Sequence, residues 1–224
     1  MCAKNASLAV VPGNASVSIS QIPNNDRARN GSRHWEGQNC LSNLREGIQW
    51  ANSEGKTAGV FVGDLVQAHR AAVELARKVY VTKAPTDVDI GIFNAFPEDT
   101  ELVQAQKALN VWTGNLSRRI VREGGTVVIA TASSDGLGFH SLVDIGMRLY
   151  CRVDQRKEIV EIFGGRKVFV LSPNCSPSDL YTRYPENVMI RNTWEDILKE
   201  LERGKSGQVV ALFPNGSLQF TPIV

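Results

Sequence analysis

Short apolar runs rich in β-branched residues recur along this chain with helical segments between them, and that alternation limits the available folds more than any other feature. Thr57 to Val62, Val88 to Phe93, Thr126 to Thr131, Lys167 to Leu171, Val188 to Ile190 and Gln208 to Phe213 each read as a strand bounded by loop residues. Between them lie segments with a helical period. Asp64 stands where it can cap a helix whose Val66, Val73, Ala76 and Tyr80 fall along one side. Thr193-Trp194-Glu195-Asp196 has capping-box-like chemistry, and Gly204 closes the helix it starts. Helices are also expected over Phe139 to Tyr150, Asp154 to Phe163 and Ser178 to Tyr184, and a short one over Cys40 to Asn52 on the spacing of Leu41, Leu44 and Ile48. Parallel neighbours need a long crossover, usually a helix, so the alternation predicts an α/β, Rossmann-like fold: a mostly parallel sheet with helices on both faces.

The chain has 224 residues, enough for one generous domain, and 42% apolar content fills a core of that size. Residues 1–35, rich in Asn, Ser, Gly and Arg and without sustained period, read as a weakly ordered leader, and residues 36–224 as a single α/β domain. Twenty-five basic against 23 acidic residues leave a net charge of +2, which gives no electrostatic footprint for nucleic acid. Arg118-Arg119 with Arg122 is the one dense basic spot, read as the C-terminus of a helix, where the helix dipole favours cations. Cys2, Cys40, Cys151 and Cys175 are scattered, and no two of His34, His69 and His140 share a ligand-like spacing, so no metal site and no redox pair is expected. With neither an apolar span of membrane length nor an export-type start, the expected location is cytoplasmic, without membrane partners.

The candidate chemistry gathers after the run Val88-Asp89-Ile90-Gly91-Ile92-Phe93, because ligands of open α/β sheets collect at the carboxyl ends of their strands. A helix read as opening at Pro97-Glu98-Asp99-Thr100 places Leu102, Ala105, Leu109 and Trp112 on one arc, toward the sheet. Gln104 and Lys107 then project together from a neighbouring arc. A surface lysine and a surface amide are the ordinary reading of such a pair. A site reading gives the cation a carboxylate or phosphate to bind and the amide a hydrogen bond to the same group. The loop Ala132-Ser133-Ser134-Asp135-Gly136-Leu137-Gly138 is the second candidate, with Asp135, Gly136 and Gly138 as substrate- or cofactor-binding positions, although a plain connection is the commoner role of such a loop. His140 follows it, and its near-neutral pKa suits proton transfer. Asp99 reads as a helix cap and His69 as structural.

Four blocks carry a family resemblance: Val62-Gly63-Asp64 to Val73, Pro97-Glu98-Asp99 with Leu102 to Leu109, Gly124-Gly125-Thr126-Val127-Val128-Ile129, and Asp135-Gly136-Leu137-Gly138. In order and spacing they resemble the C-terminal domain of the nickel-pincer lactate racemase family, from about Lys56 to Val224, including the tail Leu212-Phe213-Pro214-Asn215-Gly216-Ser217. The resemblance implies that Gln104 and Lys107 match that family's Gln-x-x-Lys motif and are catalytic, facing an active-site cleft. It implies an isomerase acting on a small 2-hydroxyacid, in which hydride leaves the α-carbon for a pyridinium ring and returns to the other face. The family's N-terminal domain brings the catalytic histidines, the substrate-binding arginine and the lysine that anchors the nickel-pincer nucleotide. This chain resembles none of that, so it is expected to bind no cofactor alone and to rely on an N-terminal racemase domain on another chain. Two positions depart from the pattern: Val103 precedes the motif glutamine where the family usually has tyrosine, and Asp154-Gln155-Arg156 stands where the family reads Asp-Gln-Trp. The alternative these departures suggest is a non-catalytic ligand-binding or protein-interaction module that kept the fold.

Overall fold

Five parallel pairings build the main sheet from strands far apart in sequence. The computed structural model describes residues 7–10, 45–51, 57–113, 119–139, 144–148, 150, 157–203, 207–219 and 221. The chain divides into two compact units, Met1–Gly13 with Thr82–Val224, and Asn14–Val81. The leader boundary expected near residue 35 lies outside the described residues.

In the larger unit, strands β1 (Ser7–Val10), β4 (Val88–Asn94), β5 (Val121–Ala130), β6 (Lys167–Leu171), β7 (Val188–Arg191) and β8 (Val209–Phe213) form one sheet in the order β1-β8-β4-β5-β6-β7. Every pairing in it is parallel. The strand period of two splits their side chains between two cores. One core joins Val88, Phe93, Val127, Ile129, Val168 and Val170 to Leu102, Leu109, Trp112, Phe163 and Leu180 from helical segments. The other joins Ile90, Ile92, Val128 and Phe169 to Ile197 of α6 (Trp194–Glu202). Helical elements therefore cover both faces, as the alternation predicts. Among the described residues no helix is long and apolar enough to cross a membrane.

Local chemistry explains most boundaries. Thr193 caps α6, its hydroxyl accepting from the Asp196 amide at 3.2 Å. Ser176 and Asp179 form a capping box at α5 (Pro177–Tyr181), which replaces the expected Ser178 to Tyr184 span. Helix α4 runs Lys157–Phe163, and the start expected at Asp154 lies outside the described residues. At its end Arg166 is buried: Nε donates to the Val121 carbonyl at 2.7 Å, the guanidinium lies over Trp112, and Nη1 meets Glu123 at 3.2 Å.

Several expectations are corrected. Asp144 to Arg148, placed in a helix by the sequence, are turns and bends. Gly124-Gly125 does not introduce β5 but interrupts it: Val88 pairs with Val121 and Ile90 with Thr126, so β5 bulges there, with Gly124 at φ 68°. A Cβ on Gly125 would lie 2.7 Å from the Asp89 carbonyl, a close approach that only glycine permits. Arg122 lies inside this strand rather than at a helix C-terminus and pairs with Asp89 at 2.8 Å. Leu8 to Val10, expected to be weakly ordered, pair in parallel with β8 because an apolar run can satisfy that strand's otherwise open edge.

The smaller unit contains β2 (Arg45–Ala51), antiparallel to β3 (Thr57–Asp64), and α1 (Leu65–Tyr80). Asp64 caps α1 as read from sequence, Oδ1 accepting from the Gln67 amide at 3.0 Å. The helix expected over Cys40 to Asn52 is instead strand from Arg45 to Ala51, with Ile48 opposite Phe61. A short helical period is weak beside a ladder of backbone hydrogen bonds to β3, regular from Arg45 to Trp50.

Glu200 of α6 collects three cations: Arg191 at 2.8 Å, Lys167 at 3.1 Å and Arg203 at 3.1 Å. Hydrogen bonds from Arg191 and then Lys167 pull its carboxyl down to about 2 from an ordinary 4.5. A folded pKa below the unfolded one stabilises the fold above the unfolded value, and the contribution is lost as protons bind. Urea unfolding of the wild type is therefore expected to lose stability as pH falls from about 4.5 to about 2, and Glu200→Gln to flatten that limb. An unchanged limb in the variant would assign the acid sensitivity to other carboxylates.

Candidate functional site

Backbone bonds at the carboxyl end of β4 place both sequence-derived candidate segments side by side. After Asn94, the Ala95 amide donates to the Ala130 carbonyl at 2.8 Å, keeping the exit of β4 beside that of β5. The following segment then meets the loop after β5. The Asp99 carbonyl accepts from the Ser133 amide at 2.7 Å and the Thr131 hydroxyl at 3.2 Å, and the Thr100 carbonyl accepts from the Asp135 amide at 2.8 Å. The Leu102 amide donates back to the Gly136 carbonyl at 3.0 Å.

These bonds decide what the glycine-rich loop does. The amides of Ser133, Asp135, Gly136 and Gly138 all donate to carbonyls of the fold, so those four are spent on the loop and its neighbour rather than presented to a phosphate. Gly136 and Gly138 sit at φ 64° and 76°, in the left-handed region glycine favours. A Cβ on Gly138 would fall 1.9 Å from Glu101 Oε2, so the glycine also permits close packing. Asp135 is exposed, and His140 lies outside the described residues.

The site helix starts later than the sequence suggests and is not uniform. It comprises α2 (Leu102–Ala105), a 3₁₀ turn (Gln106–Leu109) and α3 (Asn110–Thr113). Asp99 does not cap it; Glu101 holds the N-cap position without a side-chain cap bond. With Asp99 and Thr100 committed to the β5 loop through their carbonyls, the helical turn begins only once that lacing ends. Leu102, Ala105, Leu109 and Trp112 are buried as their shared arc requires, together with Ala108 and Val111. Gln104 is half-buried and Lys107 exposed.

Lys107 Nζ pairs with Glu98 Oε2 at 3.1 Å, with side chains 47% and 39% exposed. No periodic signal links those two residues; the turn out of β4 brings them together. The tail after β8 braces the helix from its other side. The Gly216 amide donates to the Asn94 carbonyl at 2.8 Å, Ser217 Oγ to the Phe96 carbonyl at 3.0 Å, and Asn110 Nδ2 to the Ser217 carbonyl at 2.6 Å. A Cβ on Gly216 would stand 2.3 Å from the Ala108 carbonyl, so glycine is required for this contact. Gln106 Nε2 donates to the Arg183 carbonyl, tying the 3₁₀ turn to the end of α5. The segment bearing Gln104 and Lys107 is thus held along its length while its outer side chains remain at the surface.

Among the described residues no cluster of three or more His, Cys, Asp or Glu side chains is arranged to hold a metal ion. Glu98 is the acidic neighbour of this lysine, while Asp99, Glu101 and Asp135 belong to the laced segments that precede and adjoin the helix. The chemistry on offer is a cation, half exposed and carrying an internal counter-ion, with an amide one turn before it.

No protein-family model and no curated protein matches this sequence. Among solved structures, the chain is similar to the lactate racemase apoprotein from Thermoanaerobacterium thermosaccharolyticum, with a TM-score of 0.53 and 18% identity. The match covers 76% of this chain and 44% of the racemase, so the chain spans less than half of that protein's length. At this level of identity the likeness shows a shared fold: an open parallel α/β sheet of the kind found in a lactate racemase.

Proposed function

We propose that this chain is the counterpart of the C-terminal half of a lactate racemase-like 2-hydroxyacid racemase or epimerase, contributing Gln104 and Lys107 to a composite active site. The observation that carries the reading is the held segment after β4, which carries an amide and a cation three residues apart at the carboxyl edge of the sheet. In that role Lys107 binds the substrate carboxylate and Gln104 orients the same group or the neighbouring hydroxyl. Proton exchange and hydride storage fall to an N-terminal racemase domain outside this sequence, together with the nickel-pincer nucleotide. Among the described residues no group of three or more His, Cys, Asp or Glu side chains could hold the metal, which leaves the nickel chemistry to that domain in this reading.

The second reading, a ligand-binding or interaction module that kept the fold, draws on the Lys107–Glu98 pair, which an arriving carboxylate must displace. Complementation separates the two. Mixed with the cofactor-loaded N-terminal half of a lactate racemase, the chain is expected to restore interconversion of D- and L-lactate, followed by chiral chromatography, while neither part alone is active. Association without racemisation would favour the module, and failure to associate would remove the composite-site reading.

A further inference from the structure

The amino edge of the same sheet, opposite the site just described, contains a concavity of about 460 Å³ between the starts of β4, β5 and β6 and the end of α6. That volume is in the range of small-ligand pockets. Arg122, Lys167 and Arg203 line it together with Asp89 and Glu200, and Ile90 and Leu201 contribute apolar surface.

The two carboxylates are already committed to the fold. Asp89 Oδ2 accepts from the Val209 amide at 2.7 Å and Oδ1 from Arg122 Nε at 2.8 Å. Glu200 Oε1 is taken by Arg191 at 2.8 Å, and Oε2 is shared between Lys167 and Arg203 at 3.1 Å each. Three cations thus line the concavity against two carboxylates, a surplus of one positive charge, and Arg191 supports Glu200 from outside the lining. An ammonium has three N–H donors and a guanidinium five, so one shared carboxylate oxygen cannot satisfy both Lys167 and Arg203. Their side chains remain 46% and 73% exposed and can turn toward a ligand, as can Arg122 at 47%.

We propose that this concavity is a second ligand site, binding a small organic phosphate whose dianionic group bridges Lys167, Arg203 and Arg122 while its carbon skeleton rests on Ile90 and Leu201. The net positive lining favours an anion, and the oxygens of a phosphate accept the donors that Glu200 leaves unused. The concave shape suits a small molecule rather than a nucleic-acid backbone, which needs an open basic face. In this arrangement Glu200 is the internal competitor: it holds the cations in place and must share them when the ligand arrives.

Calorimetric titration of the full chain tests this with glycerol 3-phosphate, inorganic phosphate and glycerol as probes. Glycerol 3-phosphate is expected to bind one per chain, more tightly than inorganic phosphate and more weakly as salt is raised, with no heat from glycerol. Lys167→Gln and Arg203→Gln should each weaken binding about tenfold, the scale of one charge-assisted hydrogen bond. Glu200→Gln, by removing the competitor, should tighten it, the opposite sign to loss of a merely structural network. Absence of binding by either phosphate, or affinity unchanged in both cation variants, overturns the site. Equal affinity for inorganic phosphate overturns its organic part. Should Glu200→Gln fail to fold, the two cation variants decide.

Discussion

Phe93→Ala is expected to lower the unfolding free energy by about 3–5 kcal/mol, the range for emptying a fully buried aromatic position. Phe93 is completely buried near the end of β4, its ring stacked on Phe213 at 4.8 Å and on Trp112 at 5.8 Å. Those partners come from β8 and from the site helix, so the cavity opens where three elements meet and none can close it alone. Phe93→Leu retains most of the volume and should cost about 1–2 kcal/mol. Urea unfolding followed by tryptophan fluorescence measures both, because Trp112 lies against the lost ring. A loss below about 1 kcal/mol in the alanine variant would mean that this junction is not the tightly packed centre described. The stability effect also reaches the candidate site, because Trp112 anchors the far end of the segment that carries Lys107.

Strands were the most legible part of the sequence, for a reason that can be named. In the strand Lys167–Leu171 the β-branched and aromatic run Val168-Phe169-Val170 is buried on both sheet faces, and the strand's observed limits match the sequence reading. Helix α6 was legible because Thr193 and Asp196 declare its start chemically. What failed were features decided by distant partners. Arg45 to Ala51 has spacing compatible with a helix, and only the neighbouring β3 turns it into a strand. The bulge at Gly124-Gly125 looks like an ordinary turn until Asp89, far away in sequence, is seen pressed against it.

The candidate site divides in the same way. The spacing of Gln104 and Lys107 is local, and the apolar arc behind them is readable from the side chains of the helix itself. The 3₁₀ turn that carries Lys107 is not, since it sits where Asp99 and Thr100 are held by the loop after β5 and where Gly216 lies against the Ala108 carbonyl. Glu98, the partner of Lys107, carries no signal at all in one sequence: nothing in its spacing distinguishes it from any solvated glutamate. The loop at Asp135 to Gly138 was recognised as a loop, but not the partners of its amides: Thr100 in the connection after β4 for Asp135, and Ser133 and Asp135 within the loop for Gly136 and Gly138.

Lys107→Ala is expected to leave the fold almost untouched and to abolish racemisation in the complemented enzyme. The Lys107–Glu98 pair is half exposed, and surface pairs of this kind contribute between about 0 and 1 kcal/mol, so the stability change should stay near 0.5 kcal/mol. A charge-assisted hydrogen bond to a substrate carboxylate is worth about 2 kcal/mol or more, and its loss shows in kcat/KM. Glu98→Gln completes the argument, because it frees the lysine without removing it. If Glu98 competes with the incoming carboxylate, its neutralisation should lower the substrate KM while Lys107→Ala raises it or eliminates turnover. If Glu98 instead holds the ammonium in its working position, both variants should lose activity. A lysine idle at the surface would leave kcat/KM unchanged in both, and that result would take from the enzymatic reading the residue on which it chiefly rests.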